Sequence, residues 1–262
     1  GVIRHRMVQL SRASLVVATL IAASLGVVAS HAPSAAAESP HAAQDFNPIS
    51  FRPAIFETDH MYVSSATVGG PLTLSFGLNF HYTAAPLAFE GTVPGHSDLK
   101  FVEETLRSRA VADVFVGFAP LSFLEFGVAM PLILMGEGTQ YRFSGTSDPT
   151  GFQIGELRAH LKAMFYRHEY FAIGLRADGT FPTSAEGSFA GNGLGGGGEL
   201  LFDLFAGPVT LSLNAGAYLR AETASFLTYY ELGNEMTFAL GGAWEFYDGM
   251  SVLGELYAKT PL

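Results

Sequence analysis

The chain has no cysteine and one tryptophan, and only 15% of its 262 residues are charged. Without thiols it is neither a disulfide scaffold nor a cysteine-ligated metal protein. Soluble domains carry about 25% charged residues, so this chain is poor in charge for its length. It is also too apolar to be disordered. Basic side chains are the scarcer sign: Lys+Arg number 14 against 24 Asp+Glu, a net −10. That deficit excludes a nucleic-acid partner, whose phosphates must be met by basic surface. What is plentiful is glycine (30) and phenylalanine (22), with a mean hydropathy of +0.27. Two classes remain, a membrane protein and an unusually apolar soluble one.

The first residues read as an address. Arg4, Arg6 and Arg12 form a basic stretch, Ala13 to Ala29 is apolar, and Ala35-Ala36-Ala37 precedes Glu38. That order is the pattern of a cleaved export signal over residues 1–37. The apolar stretch is short for a membrane span of about 20 residues. Met7 is a candidate start, since Gly1 is not an initiator. Removing residues 1–37 takes three of the 14 basic side chains and none of the 24 acidic ones, so the remainder carries −13. An exported chain without cysteine suits an oxidising envelope compartment.

The rest alternates with period two. Leu72 to Tyr82 (LTLSFGLNFHY) sets Leu72, Leu74, Phe76, Leu78, Phe80 and Tyr82 against Thr73, Ser75, Gly77, Asn79 and His81. Successive strand side chains point to opposite faces, so this is one apolar face and one small or polar face. The pattern recurs over Leu124–Leu134, Leu157–Phe165, Phe171–Phe181, Val209–Arg220 and Met236–Phe246. It is weaker over Met61–Val68, Ala110–Phe118, Leu200–Phe205 and Ser251–Lys259. The expectation is ten strands, with an eleventh at Ile49–Phe56. Short connections alternate with long ones at Thr83–Lys100, Gly136–Gly151, Pro182–Gly197 and Ala221–Tyr229. Such strands, with aromatics near their ends, are the pattern of an outer-membrane barrel. A helical membrane protein fits poorly: Val114–Gly136 is apolar enough, but Pro120 and Pro131 interrupt it. A soluble β-sandwich also fits poorly. It would tolerate polar residues on its buried apolar face, whereas here those faces are unbroken and charge gathers on the other one.

Little in the chain points to catalysis. The histidines after residue 37 (His41, His60, His81, His96, His160 and His168) form no H-E-x-x-H or other ligand spacing. His81 and His160 fall on expected inner faces, where hydrogen-bonded filling is the simpler reading than a metal or proton site. No G-x-S-x-G elbow is present. Gly191, Gly193 and Gly196 spell G-x-G-x-x-G, but a dinucleotide site needs a helix to follow, and a strand pattern follows here. The segment reads as a surface loop. The expectation is therefore a protein that is not an enzyme, with no cofactor, no metal and no catalytic residue.

The inner-face charges are the most informative side chains. If the loop 136–151 joins its strands symmetrically, Glu125 and Lys162 stand opposite one another. Across the turn Arg167–Tyr170, Arg158 and Asp178 do the same. Opposite charges across strands attract. This predicts an inner network of Asp113, Glu125, Arg158, Lys162, Arg176 and Asp178. Paired charges would fill the interior and make it structural. A ring around an open lumen would instead set ion selectivity.

Four stretches, FGLNFHYTAAP (Phe76–Pro86), LEFGVAMPLIL (Leu124–Leu134), IGELRAHLK (Ile154–Lys162) and LGNEMTFALG (Leu232–Gly241), carry a family likeness. From about Phe46 to Leu262 the chain resembles the N-terminal barrel of OmpA-family outer-membrane proteins of Gram-negative bacteria, in the long variant found in myxobacteria. The resemblance implies an all-β, transmembrane, antiparallel up-and-down barrel, with 10–11 strands visible of an expected roughly 12–14. Its organisation would be a signal peptide at 1–37, a periplasmic segment or first strand at 38–60, and barrel at 61–262. The chain ends at Thr260-Pro261-Leu262, where another strand would begin, so the expectation is a barrel incomplete at its C-terminus. The resemblance further implies location in the outer membrane, lipid contact, assembly by the insertion machinery, and a tether to peptidoglycan through a further downstream domain. The alternatives are a passive diffusion channel or transporter for small or apolar solutes, and an outer-membrane hydrolase.

Overall fold

The computed structural model describes residues 53–56, 58–93, 96–138, 151–184, 190–191, 193–221, 224–226, 230–248 and 250–262. The expected signal peptide and most of the segment 38–60 lie outside the described residues. Within them the protein is all-β, and no helix is long and apolar enough to cross a membrane.

Nine long strands run up and down: β1 (Thr73–Val93), β2 (His96–Leu121), β3 (Leu124–Gly138), β5 (Leu157–Arg167), β6 (Phe171–Phe181), β7 (Gly195–Ala206), β8 (Val209–Arg220), β11 (Glu235–Tyr247) and β12 (Met250–Pro261). The short strand β4 (Gln153–Ile154) pairs with β3, while β9 (Ala224–Phe226) and β10 (Tyr230–Leu232) pair with each other. The long strands form one antiparallel sheet in sequence order, curled as a half-barrel with β1 and β12 at its edges.

The alternation fixes the two faces. Across the convex face, Ile173, Phe202, Leu213, Leu240 and Leu256 are successive cross-strand partners from β6 to β12. Phe76, Val116 and Val128 do the same from β1 to β3. All of these but the half-buried Phe202 are exposed: Phe76 is 81% exposed and Leu256 73%. Three residues along each strand, and so of opposite parity, the concave face carries the row Glu125, Lys162, Arg176, Glu199, Gly216, Thr237, Lys259. The sheet thus turns charge inward and hydrocarbon outward. The buried core is small and inner: Phe56, Val68 and Ala119 form one cluster, Ala66, Ala172 and Leu201 another.

Three expectations are corrected. Met61–Val68 is not a strand, nor are the described residues of Ile49–Phe56. Residues 53–56 and 58–70 instead lie in the concavity of the sheet. Four of their backbone amides are taken by wall carboxylates and others by the segment itself, none by a neighbouring strand's backbone, so their β-prone side chains build no ladder. Second, Thr83–Lys100 is not a loop in its described part. β1 and β2 stay paired from Thr83 opposite Arg109 to Val93 opposite His96, with three register shifts. Bulges of this kind reset which face a residue points to, and that erases the period of two. Third, Gly195–Gly198 belongs to β7 rather than to a surface loop. A Cβ at Gly195 would lie 2.4 Å from the Tyr218 hydroxyl, so the glycine is needed for packing on β8.

Candidate functional site

The concave face and the segment 53–70 meet in one polar assembly. At its centre is Lys162, fully buried on β5. Its Nζ lies 2.8 Å from Glu125 Oε1 of β3 and 2.8 Å from Asp59 Oδ1 of the segment. It also donates to Thr58 Oγ1 at 3.4 Å. Glu125 stands directly opposite Lys162 in the ladder and accepts the Gly69 amide at 3.4 Å. His160 Nε2 is 3.7 Å from the same carboxylate. A buried ammonium is tolerated only when paired and hydrogen-bonded, and here two carboxylates and a hydroxyl supply that.

A second cation, Arg176 of β6, follows in the same row. Its Nε donates to Asp178 Oδ2 at 2.9 Å, its guanidinium pairs with Glu199 Oε2 at 3.0 Å, and another nitrogen donates to Ser64 Oγ of the segment. A third, Arg158 of β5, reaches past β3 to Asp113 of β2 at 2.9 Å and donates to the Pro53 carbonyl at 3.3 Å. His81 Nδ1 lies 3.4 Å from the same Asp113.

The six inner charges thus fall into three groups: Glu125 with Lys162, Arg176 with Asp178, and Arg158 with Asp113. Arg158 does not stand opposite Asp178 but opposite Thr180. Arg167 pairs with Ala172, and a register shift follows between Met164 and Tyr166, so His160 rather than Arg158 faces Asp178. Closing the hairpin with Arg167 opposite Ala172 sets Asp178 three places from Arg158, and the bulge recovers one of them.

Other residues hold the segment without having been singled out. Asp203 of β7 accepts Ser65 Oγ at 2.6 Å and the Ala66 amide at 2.9 Å. Glu255 of β12 accepts the Tyr62 and Val63 amides at 2.9 and 2.7 Å. With its amide turned to suit its neighbours, Asn214 of β8 donates to the Ser64 carbonyl and accepts the Ser64 amide. His60 Nε2 bonds Ser212 Oγ at 3.0 Å. Asp203 and Glu199 share a parity against Leu200, Phe202 and Leu204, which was a readable signal. Asp59 offered none, because its segment is not in the sheet.

Asp203→Ala removes Oδ2, the one oxygen that accepts both of these buried donors. It is expected to cost about 1–3 kcal/mol, seen as a lower denaturation midpoint at unchanged slope. Asp203→Asn keeps one acceptor oxygen and should lose less. A midpoint equal to wild type for Asp203→Ala would show that these bonds hold nothing.

No protein-family model, no curated protein and no solved structure matches the chain.

Proposed function

We propose that this chain is a membrane-spanning β-barrel region that anchors its protein in a bacterial outer membrane. One observation carries the reading: a water-soluble sheet buries its apolar face, and here that face is the exposed one on all nine long strands. An exposed patch of that extent far exceeds the few hundred Å² usual on a soluble monomer, and lipid is the surface that matches it. A transmembrane barrel has this distribution, hydrocarbon outside and polar groups inside. Tyr170, Trp244 and Tyr247 are exposed beside the short connections, where an aromatic girdle would meet the interface. The paired interior favours a structural role for the inner charges. The family resemblance adds a tether to peptidoglycan through a downstream domain.

The test is fractionation of the full-length protein in a Gram-negative host. It should stay in the outer membrane after alkaline extraction, migrate faster unboiled than boiled in detergent gels, and sediment with peptidoglycan. Release into the soluble periplasm would overturn the anchor. Membrane retention without sedimentation would overturn the tether alone.

A further inference from the structure

We infer that residues 53–70 are a resident plug, and that this segment rather than the barrel wall closes the interior to ions. The inference rests on the membrane reading for its consequence, but its geometry stands apart from it. The wall carries glycine where the segment sits. A Cβ at Gly117 of β2 would lie 2.4 Å from Phe56 Cδ2, one at Gly127 of β3 2.7 Å from Ile55 Cγ2, and one at Gly241 of β11 2.9 Å from His60 Cδ2. At Gly174 of β6 it would lie 3.1 Å from the Ala66 carbonyl. Real Cβ atoms essentially never come within 3.0 Å of such neighbours. Glycine weakens a strand interior and marks a close approach of other atoms, and in each of these seats the approaching atoms include the segment's.

The seats alternate with polar holds. Carboxylates of Glu125, Asp203 and Glu255 take four backbone amides of the segment, those of Gly69, Ala66, Tyr62 and Val63. Those holds come from three well-separated strands, so the segment spans the concavity rather than lining one side. It is also self-bonded across itself: Ala54 N to the Met61 carbonyl, His60 N to the Val63 carbonyl, and Ser65 N to Asp59 Oδ1. Val63, Ser64 and Ala66 are all fully buried. The segment thus fills much of the concavity, and beside it remains a cavity between Pro53, Ile55 and Tyr62 and the wall residues Arg158, Arg176 and Glu199.

None of the 262 residues is cysteine, so a disulfide within them is the engineered one. A Cβ at Gly241 would stand 3.2 Å from Val63 Cβ, near the separation of about 3.5–4.5 Å that a disulfide spans. The full-length protein carrying Val63→Cys and Gly241→Cys should form an intramolecular disulfide while membrane-inserted. In planar bilayers the wild type should give no conductance steps. Gly117→Leu with Gly127→Leu fills two seats and should give discrete steps, as should deletion of residues 53–70. Failure of the disulfide in inserted protein would overturn the plug, whether or not the seat-filled variants fold. Equal steps from wild type and variants would overturn closure by the segment, and silence from an inserted deletion variant would do the same. A protein that forms the disulfide yet never inserts would overturn the membrane reading and leave the seat intact.

Discussion

Lys162→Met is expected to be the most damaging single substitution in the interior. It leaves the Glu125 and Asp59 carboxylates buried, with the cation that separated them gone. Lys162 Nζ is 2.8 Å from each, and both carboxylate side chains are fully buried. Stripping one partner from a buried ion pair costs about 3–5 kcal/mol, a large part of the 5–15 kcal/mol or so that holds a typical domain folded. The wild-type triad need not be more stable than a hydrocarbon replacement. Its removal is costly because the removal is one-sided. Adding Glu125→Gln and Asp59→Asn to Lys162→Met should therefore restore most of the loss, a non-additivity expected of groups in direct contact. Glu125→Gln alone should be milder, since Asp59 still pairs the ammonium. Denaturation of the refolded barrel region, followed by the emission of Trp244, the one tryptophan of the 262 residues, measures all three variants with one native probe. A loss below about 1 kcal/mol for Lys162→Met, typical of exposed pairs, would mean that water reaches this cluster.

Much of this arrangement was legible because period two reports a face. Phe171–Phe181 and Val209–Arg220 were read with the limits they have as β6 and β8. Once the parity is known, the charges are known to share a side. Register was legible in one hairpin and not in the next. Glu125 stands opposite Lys162, as a symmetrical loop over 136–151 predicts. Arg158 misses Asp178 because the hairpin closes with Arg167 opposite Ala172, which sets the two three places apart, and the bulge recovers only one of them. The plug was illegible for a different reason. Its partners are side chains distant in sequence, with Tyr62 and Glu255 193 residues apart, and no local pattern encodes such a contact. Its run of Met61, Val63 and Val68 has strand-like composition, yet composition is silent on whether a backbone amide finds a carbonyl or a carboxylate. The glycines of the wall were the one available trace. Gly117, Gly127, Gly174 and Gly241 each interrupt the inner face of a good strand pattern, at positions where a strand gains from a side chain.

Leu213→Arg separates a lipid-facing surface from a wet one by the size of its effect. Leu213 is half exposed in the middle of β8, with Phe202 and Leu240 as its cross-strand neighbours. In water the substitution sits on an open surface and should change stability by no more than about 0.5 kcal/mol. At the midplane of a bilayer an arginine on the outer face costs about 2–4 kcal/mol. Val209→Arg, on the same face of the same strand, is the control. It lies four residues nearer the short turn, about 13 Å along the strand at the usual rise, where the cost in a bilayer falls to about 0–1 kcal/mol. The unfolding midpoint of each variant, refolded into lipid vesicles and followed by circular dichroism, gives the pair of values. A large loss at 213 with a small one at 209 is the depth profile of a membrane. Small losses at both would place the convex face in water and remove the basis of the anchoring role. Equally large losses at both would put a protein surface, uniform along the strand, where the bilayer is proposed, because in a bilayer the cost falls off toward an interface about 15 Å from its centre.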